Sequence, residues 1–340
     1  MPEPAEPSTG TARNDDLRTV GVGLLGCADI ATRRILPTLA GIAGARLTAV
    51  ASRDPVKAAD VARRYGGEPV HGYQHLLDRD DVAAVYLPLP AALHATWIRR
   101  ALLSGKHVLA EKPLTTSHAE TAELVDLAAR HGLVLQENYM FPWHSQHTAI
   151  RTLLAEGTIG DPQLFTATFA IPPRPEGDIR LRPELGGGAL LDTAGYPLRA
   201  ALLTLGRELT VAGAALRQDS RTGVDLGGGI LLHRADGVTA HLSFGLAHGY
   251  VSQLEVIGSS GSIRVEHVFT TPPAHCPVVT VERGGARERH PLAPDDQCRN
   301  ALTAFVAAIR ARRVTSHGDT LAHALIVDRA RTMASQVTAG

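Results

Sequence analysis

Long apolar runs are missing from this 340-residue chain, and so is any excess of charge of one sign. No segment is long enough to span a bilayer, and the first stretch, MPEPAEPSTGTARNDDLRT, lacks the basic start and apolar run of a secretory signal. Lys and Arg number 34 and Asp and Glu number 34, so neither a nucleic acid nor an anionic membrane has an electrostatic footprint to follow. A small-molecule partner is the expectation. Cysteine is nearly absent: Cys27, Cys276 and Cys298 form an odd set without close spacing, which suits neither a disulfide framework nor a thiolate metal site. This reads as a reducing, cytoplasmic compartment. Internal repeats and long low-complexity stretches are absent too, apart from residues 1–18, whose Pro and polar content reads as a disordered tail.

What is present from Val20 onward is alternation. The short apolar runs VGVGLL, RLTAVAS, VAAVYLPL, HVLAE and LVLQEN read as buried strands, and the segments between them have helical spacing, with Pro37 interrupting the first helix. That order predicts an α/β fold, a parallel sheet covered on both faces, over residues 19–138. Beyond it the texture changes to one helix and then a succession of strand-like segments with turn signals. Residues 139–340 are therefore expected to form a second α/β domain with a large open sheet, mainly antiparallel or mixed. A last helical region, from about Cys298 to Gln336, is expected to pack back on either domain.

The string GLLGCADIA follows the first strand and opens the first helix, where a dinucleotide site needs small residues so that backbone can approach a pyrophosphate. Gly23, Gly26, Ala28 and Ala31 supply them, although two alanines replace the usual glycines. Gly26, Cys27, Ala28, Asp29 and Ile30 are thus cofactor candidates. Ser52 and Arg53 end the second strand and offer a hydroxyl and a planar cation to a 2′-phosphate, which favours NADP(H) over NAD. Asp54 would argue for NAD if it reached the ribose, but followed by Pro55 it reads as a helix N-cap. Ligands of an open parallel sheet gather at the carboxyl ends of its strands. Lys112 in VLAEKPLTTSH stands there, with Glu111 beside it; Leu87, Pro88 and Leu89 form an apolar wall for a nicotinamide, and His94 lies just beyond. His144 and His147 can share a helix face, but no third ligand accompanies them, so no metal is expected.

In combination, GLLGCADIA, ASRD, LPLPAALHATW, GKHVLAEKPL, GGGALLDTAGY and LEVIGSSGSI occur in the order found in the glucose-fructose oxidoreductase/inositol dehydrogenase-like (Gfo/Idh/MocA) family, which nearly all of the chain after the tail resembles. The resemblance implies an N-terminal Rossmann domain, a C-terminal domain whose open sheet faces the cofactor and mediates dimer or tetramer formation, and Lys112 beside the reacting carbonyl. It also places Tyr73 near the adenosine half of the cofactor and suggests a cis bond before Pro113. Many relatives carry histidine four residues after the aspartate that corresponds to Asp192; here that position is Tyr196.

With RLRPELGGGALLD, this DTAGYPLRAAL arrangement resembles the family's actinomycete nucleotide-sugar C-3 ketoreductases of deoxysugar biosynthesis. The implied substrate is a dTDP-linked 3,4-diketo-2,6-dideoxyhexose, reduced at C3 by NADPH. Lys112 and Tyr196 are the catalytic candidates, and either can give the proton. Arg180, Arg182 and Arg199 are candidates for the diphosphate, and Asp192 for orienting the sugar or Lys112. Enzymes that oxidise free sugars or polyols on the same fold, and a silent NADP-binding sensor, are the alternative readings.

Overall fold

The computed structural model describes residues 19–313 and 315–339. The tail expected over residues 1–18 lies outside them. The first half forms a six-stranded parallel sheet in the order β3-β2-β1-β4-β5-β6, built from β1 (Val20–Leu25), β2 (Ala45–Ser52), β3 (Glu68–His71), β4 (Ala84–Leu87), β5 (His107–Ala110) and β6 (Leu135–Glu137). This is the strand order of a dinucleotide-binding Rossmann sheet, with its switch point between β1 and β4. All six residues of β1 are buried because helices cover both faces, which is why the strand reads as an unbroken apolar run.

The helices of this half follow from local signals. The first begins as a π-helical turn over Ala31–Ile35 and continues as α1 (Leu36–Leu39), and Pro37 sits just after the π-helical turn without breaking the helix. Asp54 caps α2 (Pro55–Tyr65), its carboxylate accepting from the N–H groups of Val56 and Lys57. Then come α3 (Tyr73–Leu77), α4 (His94–Leu103) and α5 (His118–Arg130), the last capped by Ser117.

After α6 (Ser145–Ala155) the chain builds a nine-stranded mixed sheet in the order β14-β13-β12-β11-β7-β10-β9-β8-β15. Its strands are β7 (Pro162–Ala170), β8 (Thr210–Asp219), β9 (Asp225–His233), β10 (Thr239–Gly245), β11 (Val251–Gly258), β12 (Gly261–Glu266), β13 (Val278–Arg283), β14 (Ala286–Pro291) and β15 (Ala334–Ala339). Only the β7–β10 and β8–β15 pairs are parallel. One face of this sheet buries Phe165, Phe169, Leu254 and Val256 against α8 (Gly195–Leu205), which follows the short α7 (Ala189–Asp192).

The chain's end differs from the expected helical region. It divides into α9 (Gln297–Arg310) and α10 (Gly318–Met333), and helix stops at Met333, with Ala334–Ala339 joining the sheet edge as β15. The α9 helix packs on the first sheet, where Cys298, Leu302 and Phe305 share a core with Val22, Leu24 and Ile35. The seam between the two sheets runs through consecutive residues after β6: Tyr139 and Phe141 enter the second core while Met140 lies against the first.

Candidate active site at the seam

A cavity of about 370 Å³ opens where the carboxyl ends of β1, β4 and β5 face the nine-stranded sheet. Ala28, Asp29 and Ile30 line one end, Pro88, Leu89 and Pro90 one wall, Glu111 and Lys112 the floor, and Asp192, Tyr196 and Arg180 the side contributed by the second half. The sequence thus brings residues from both sheets to one space.

At the cofactor end, Gly26 has φ +104, and a Cβ there would stand 2.7 Å from Leu89 Cδ2, so the turn admits no side chain. Its N–H donates to the Ala51 carbonyl at 2.9 Å, which ties the turn to the end of β2. Ser52 is buried there and its hydroxyl accepts from the Asp54 N–H at 3.1 Å, while Arg53 is exposed and lies close enough to Tyr73 for its charge to act on the phenol. Tyr73 packs edge-on against Trp97, and burial pushes its phenol up, with Arg53 pulling against that. The Cys27 thiol, also raised by burial, approaches the Lys57 carbonyl at 3.7 Å. A bare glycine turn, an arginine at the end of β2 and small residues opening the first helix fit a dinucleotide with a 2′-phosphate.

At the other end, Lys112 stands two residues past β5 and is followed by a cis Lys112–Pro113 peptide. Its Nζ donates to Asp192 Oδ1 at 2.6 Å and to the Asp192 carbonyl at 2.9 Å. Arg180 Nε donates to the other Asp192 oxygen at 2.8 Å, and the same guanidinium reaches Asp178, which also pairs with Arg174. Burial opposes both charges of the central pair, yet Lys112 is held above its ordinary range by Asp192 and Tyr196, and Asp192 below its own by Lys112 and Arg180. The pair is ionised.

Tyr196 sits in the first turn of α8, its ring against Phe169 (centroids 4.4 Å apart) and Tyr139 (5.4 Å) and its centroid 5.2 Å from Lys112 Nζ. A Cβ at Gly195 would fall 1.8 Å from the Tyr139 hydroxyl, so only glycine lets α8 start this close. Burial pushes the Tyr196 phenol up more than Lys112 pulls it down, which keeps it protonated at neutral pH. Its hydroxyl makes no hydrogen bond among the described residues.

Two profiles cover this architecture. The first, for an oxidoreductase family with an NAD-binding Rossmann fold, matches residues 20–139, and the second, for the C-terminal domain of the same family, matches residues 147–264. The chain belongs to the Gfo/Idh/MocA oxidoreductase family. Among its relatives within that family, a dTDP-3,4-didehydro-2,6-dideoxy-alpha-D-glucose 3-reductase of Streptomyces violaceoruber is 50% identical over 297 residues, 87% of each chain. An enzyme of the same name from Actinomadura kijaniata is 47% identical over 94% of this chain and 96% of its own. Among solved structures, KijD10, a 3-ketoreductase from Actinomadura kijaniata in complex with NADP and TDP-benzene, superimposes with a TM-score of 0.93 at 46% identity, covering 95% of this chain and all of that one.

Within this Gfo/Idh/MocA frame, several expected site residues stand elsewhere. Leu87 is fully buried in the core beneath the sheet and leaves the wall to Pro88, Leu89 and Pro90. His94 is buried with both ring nitrogens facing backbone carbonyls, Pro113 at 2.7 Å and Leu89 at 2.8 Å, and does not line the cavity. Burial pushes its imidazole down, with those carbonyls opposing. Arg182 is exposed and paired with Glu184, away from the lining. Arg199 is buried against Glu137 behind the cavity and is not a diphosphate ligand.

His144 caps α6 by accepting from the Gln146 N–H, and His147 Nε2 faces the Val268 carbonyl at 3.3 Å. No group of three or more His, Cys, Asp or Glu among the described residues is arranged to hold a metal.

Asn138 and Arg174 are lining residues that sequence reasoning missed. Asn138 directly follows β6, and its amide donates to Glu111 Oε1 at 2.6 Å, an oxygen that also accepts from the Tyr86 hydroxyl at 2.8 Å. Its place just past a strand's carboxyl end was the available signal.

Proposed function

We propose that the chain reduces the C3 ketone of a dTDP-linked 3,4-diketo-2,6-dideoxyhexose with NADPH, leaving the C4 ketone in place. The observation that carries this reading is the Lys112–Asp192 ion pair set against the Tyr196 ring at the mouth of a Rossmann sheet. The names and complexes of the 3-reductase relatives supply the substrate class.

NADPH, when bound, supplies the hydride, and Arg53 with Ser52 would hold its 2′-phosphate beyond the Gly26 turn. Lys112 and Tyr196 both carry a proton, but their positions differ. The Lys112 ammonium is fixed by two bonds to Asp192, whereas the Tyr196 hydroxyl is free to turn to a ligand. We assign the proton transfer to Tyr196 and stabilisation of the charge growing on the C3 oxygen to Lys112. Carbon gains the hydride and oxygen the phenolic proton, so the ketone becomes a secondary alcohol. Arg180 and Arg174, at the rim and already facing carboxylates, are placed to meet the diphosphate.

The cavity's two-sheet construction suits an enzyme rather than a sensor, because a sensor needs the Gly26 turn but no Lys112–Tyr196 pair. The reading carries a cytoplasmic setting, supported by three free cysteines and by the absence, among the described residues, of a helix long and apolar enough to cross a membrane. It also carries a homodimer or tetramer, for which the nine-stranded sheet offers a second face with Leu231 and Ile257 partly exposed.

The test is NADPH consumption with the diketo sugar generated in situ by its preceding dehydratase, and NMR of the product. A C3 alcohol supports the proposal. No turnover, with an active dehydratase and measured NADPH binding, transfers the assignment to another carbonyl substrate.

A further inference from the structure

The peptide joining Pro113 to Leu114 comes one residue after Lys112, and buried side chains face both of its polar atoms. Its carbonyl faces His94 Nδ1 at 2.7 Å, and its N–H donates to Glu137 Oε1 at 2.9 Å. Each of these side chains reaches on to a different wall of the site. His94 Nε2 faces the Leu89 carbonyl at 2.8 Å, at the apolar wall. Glu137 Oε2 accepts from the Arg199 guanidinium and from the Thr320 hydroxyl at 3.3 Å. Arg199 stands three residues after Tyr196 on α8.

A polar path therefore runs from the peptide behind Lys112 to the helix that presents Tyr196, and the neutral His94 ring, with one N–H for the two carbonyls it faces, adds a single hydrogen bond at the near end. His94, Glu137 and Arg199 all lie outside the cavity lining. The Glu137 side chain is 4% exposed and that of Arg199 8%, so the charge-assisted bonds between them act in a low-dielectric setting where they are stiff and strong. The flexible stem of Lys112 is aimed from in front by Asp192, and the Pro113–Leu114 peptide that follows is held from behind.

We propose that Glu137 is a positioning residue that locks the Lys112 loop to the Tyr196 helix and so sets the spacing of the two groups at the reacting carbonyl. The inference rests on the reading of Lys112 and Tyr196 as the reacting pair. Glu137 touches neither group, and its effect comes through Leu114 on one side and Arg199 on the other.

The experiment compares the wild-type chain with Glu137→Gln, which keeps the size but cannot accept from both partners as a carboxylate does. In the reductase assay, kcat is expected to fall about tenfold to a hundredfold, as for a small misplacement of reacting groups, while KM and NADPH affinity hold. The deuterium isotope effect from 4-deuterated NADPH is expected to grow, because hydride transfer becomes slower than the steps around it. A kcat that falls only in proportion to lost folded enzyme, with the isotope effect unchanged, overturns the proposal. If Glu137→Gln does not fold, Glu137→Asp keeps the charge but withdraws it by one methylene, and a smaller loss with the same raised isotope effect is expected.

Crystal structures of wild type and variant with NADP+ test the geometry without any substrate. Lys112 Nζ should leave its position 5.2 Å from the Tyr196 ring centre, and an unmoved pair would refute the assignment. A silent wild type in the assay counts against the substrate reading alone, since the crystallographic comparison still decides the role of Glu137.

Discussion

Two charge networks lie on opposite sides of Pro113, and they are built differently. In front, Lys112, Asp192, Arg180, Asp178 and Arg174 alternate in sign from the cavity floor to the rim, the side chain of Lys112 12% exposed and those of Arg180 and Arg174 33% and 36%. Behind, Glu137 and Arg199 are closed off, and Thr320 and the Leu114 N–H complete the coordination of the carboxylate. The front network borders space and ends at solvent, so an anionic ligand can exchange with its carboxylates. The back network borders only a small pocket of about 10 Å³, lined by Glu137 and Thr320 among others. Under the proposals above, similar chemistry serves reaction on one side and geometry on the other, with burial of the partners as the difference between them.

The sharpest way to break the comparison is at the front. Tyr196→Phe removes a hydroxyl that has no hydrogen-bond partner among the described residues and keeps the ring that packs on Phe169 and Tyr139. Turnover is expected to fall by roughly two to four orders of magnitude with NADPH binding and thermal stability intact. Steady-state kinetics and a melting curve check this. Unchanged turnover would move the proton transfer to the Lys112 ammonium.

At the back the expected cost is stability. Arg199→Met leaves the Glu137 carboxylate buried without its cation, a change that typically costs about 3–5 kcal/mol. Denaturant unfolding measures it. A loss below about 1 kcal/mol would mean that the pair is solvated like a surface bridge, and the contrast between the two networks would collapse.

The parallel sheet was legible because strands buried on both faces are apolar runs and the helices between them keep their period. The edge strands carry no such pattern. β3, EPVH, is an edge strand with a proline and little buried surface, and β14, ARERHP, is almost wholly exposed. Edge strands are solvated and charged for their own reasons, so hydrophobicity cannot find them. For β13 and β14 a signal did exist, since Gly284 and Gly285, both at positive φ, form the turn between them. At the site, Lys112 was legible from its place past a strand's carboxyl end, whereas Asp192, Arg180 and Tyr196 were read through the family resemblance. Arg199 was misread because its partner is 62 positions away, at Glu137, and pairing across that distance leaves no local trace. His94 was misplaced for a similar reason: its acceptors are backbone carbonyls, which every residue has.

The cofactor end sharpens the comparison from a third direction, because Arg53 belongs to neither network. It is exposed, it leans on the Tyr73 hydroxyl, and no ion pair among the described residues includes it. If both networks draw their effect from partners within the protein, an arginine outside them should matter only when a ligand supplies the negative charge. NADPH has a 2′-phosphate to offer and NADH does not. Arg53→Ala is therefore expected to weaken NADPH about tenfold, the order of one charge-assisted contact, and to leave NADH within about twofold. Fluorescence titration with each cofactor reads both constants. Equal losses for the two would show that Arg53 acts through Tyr73 and the Gly26 turn, which would make it a structural support of the dinucleotide site instead of a reader of the phosphate.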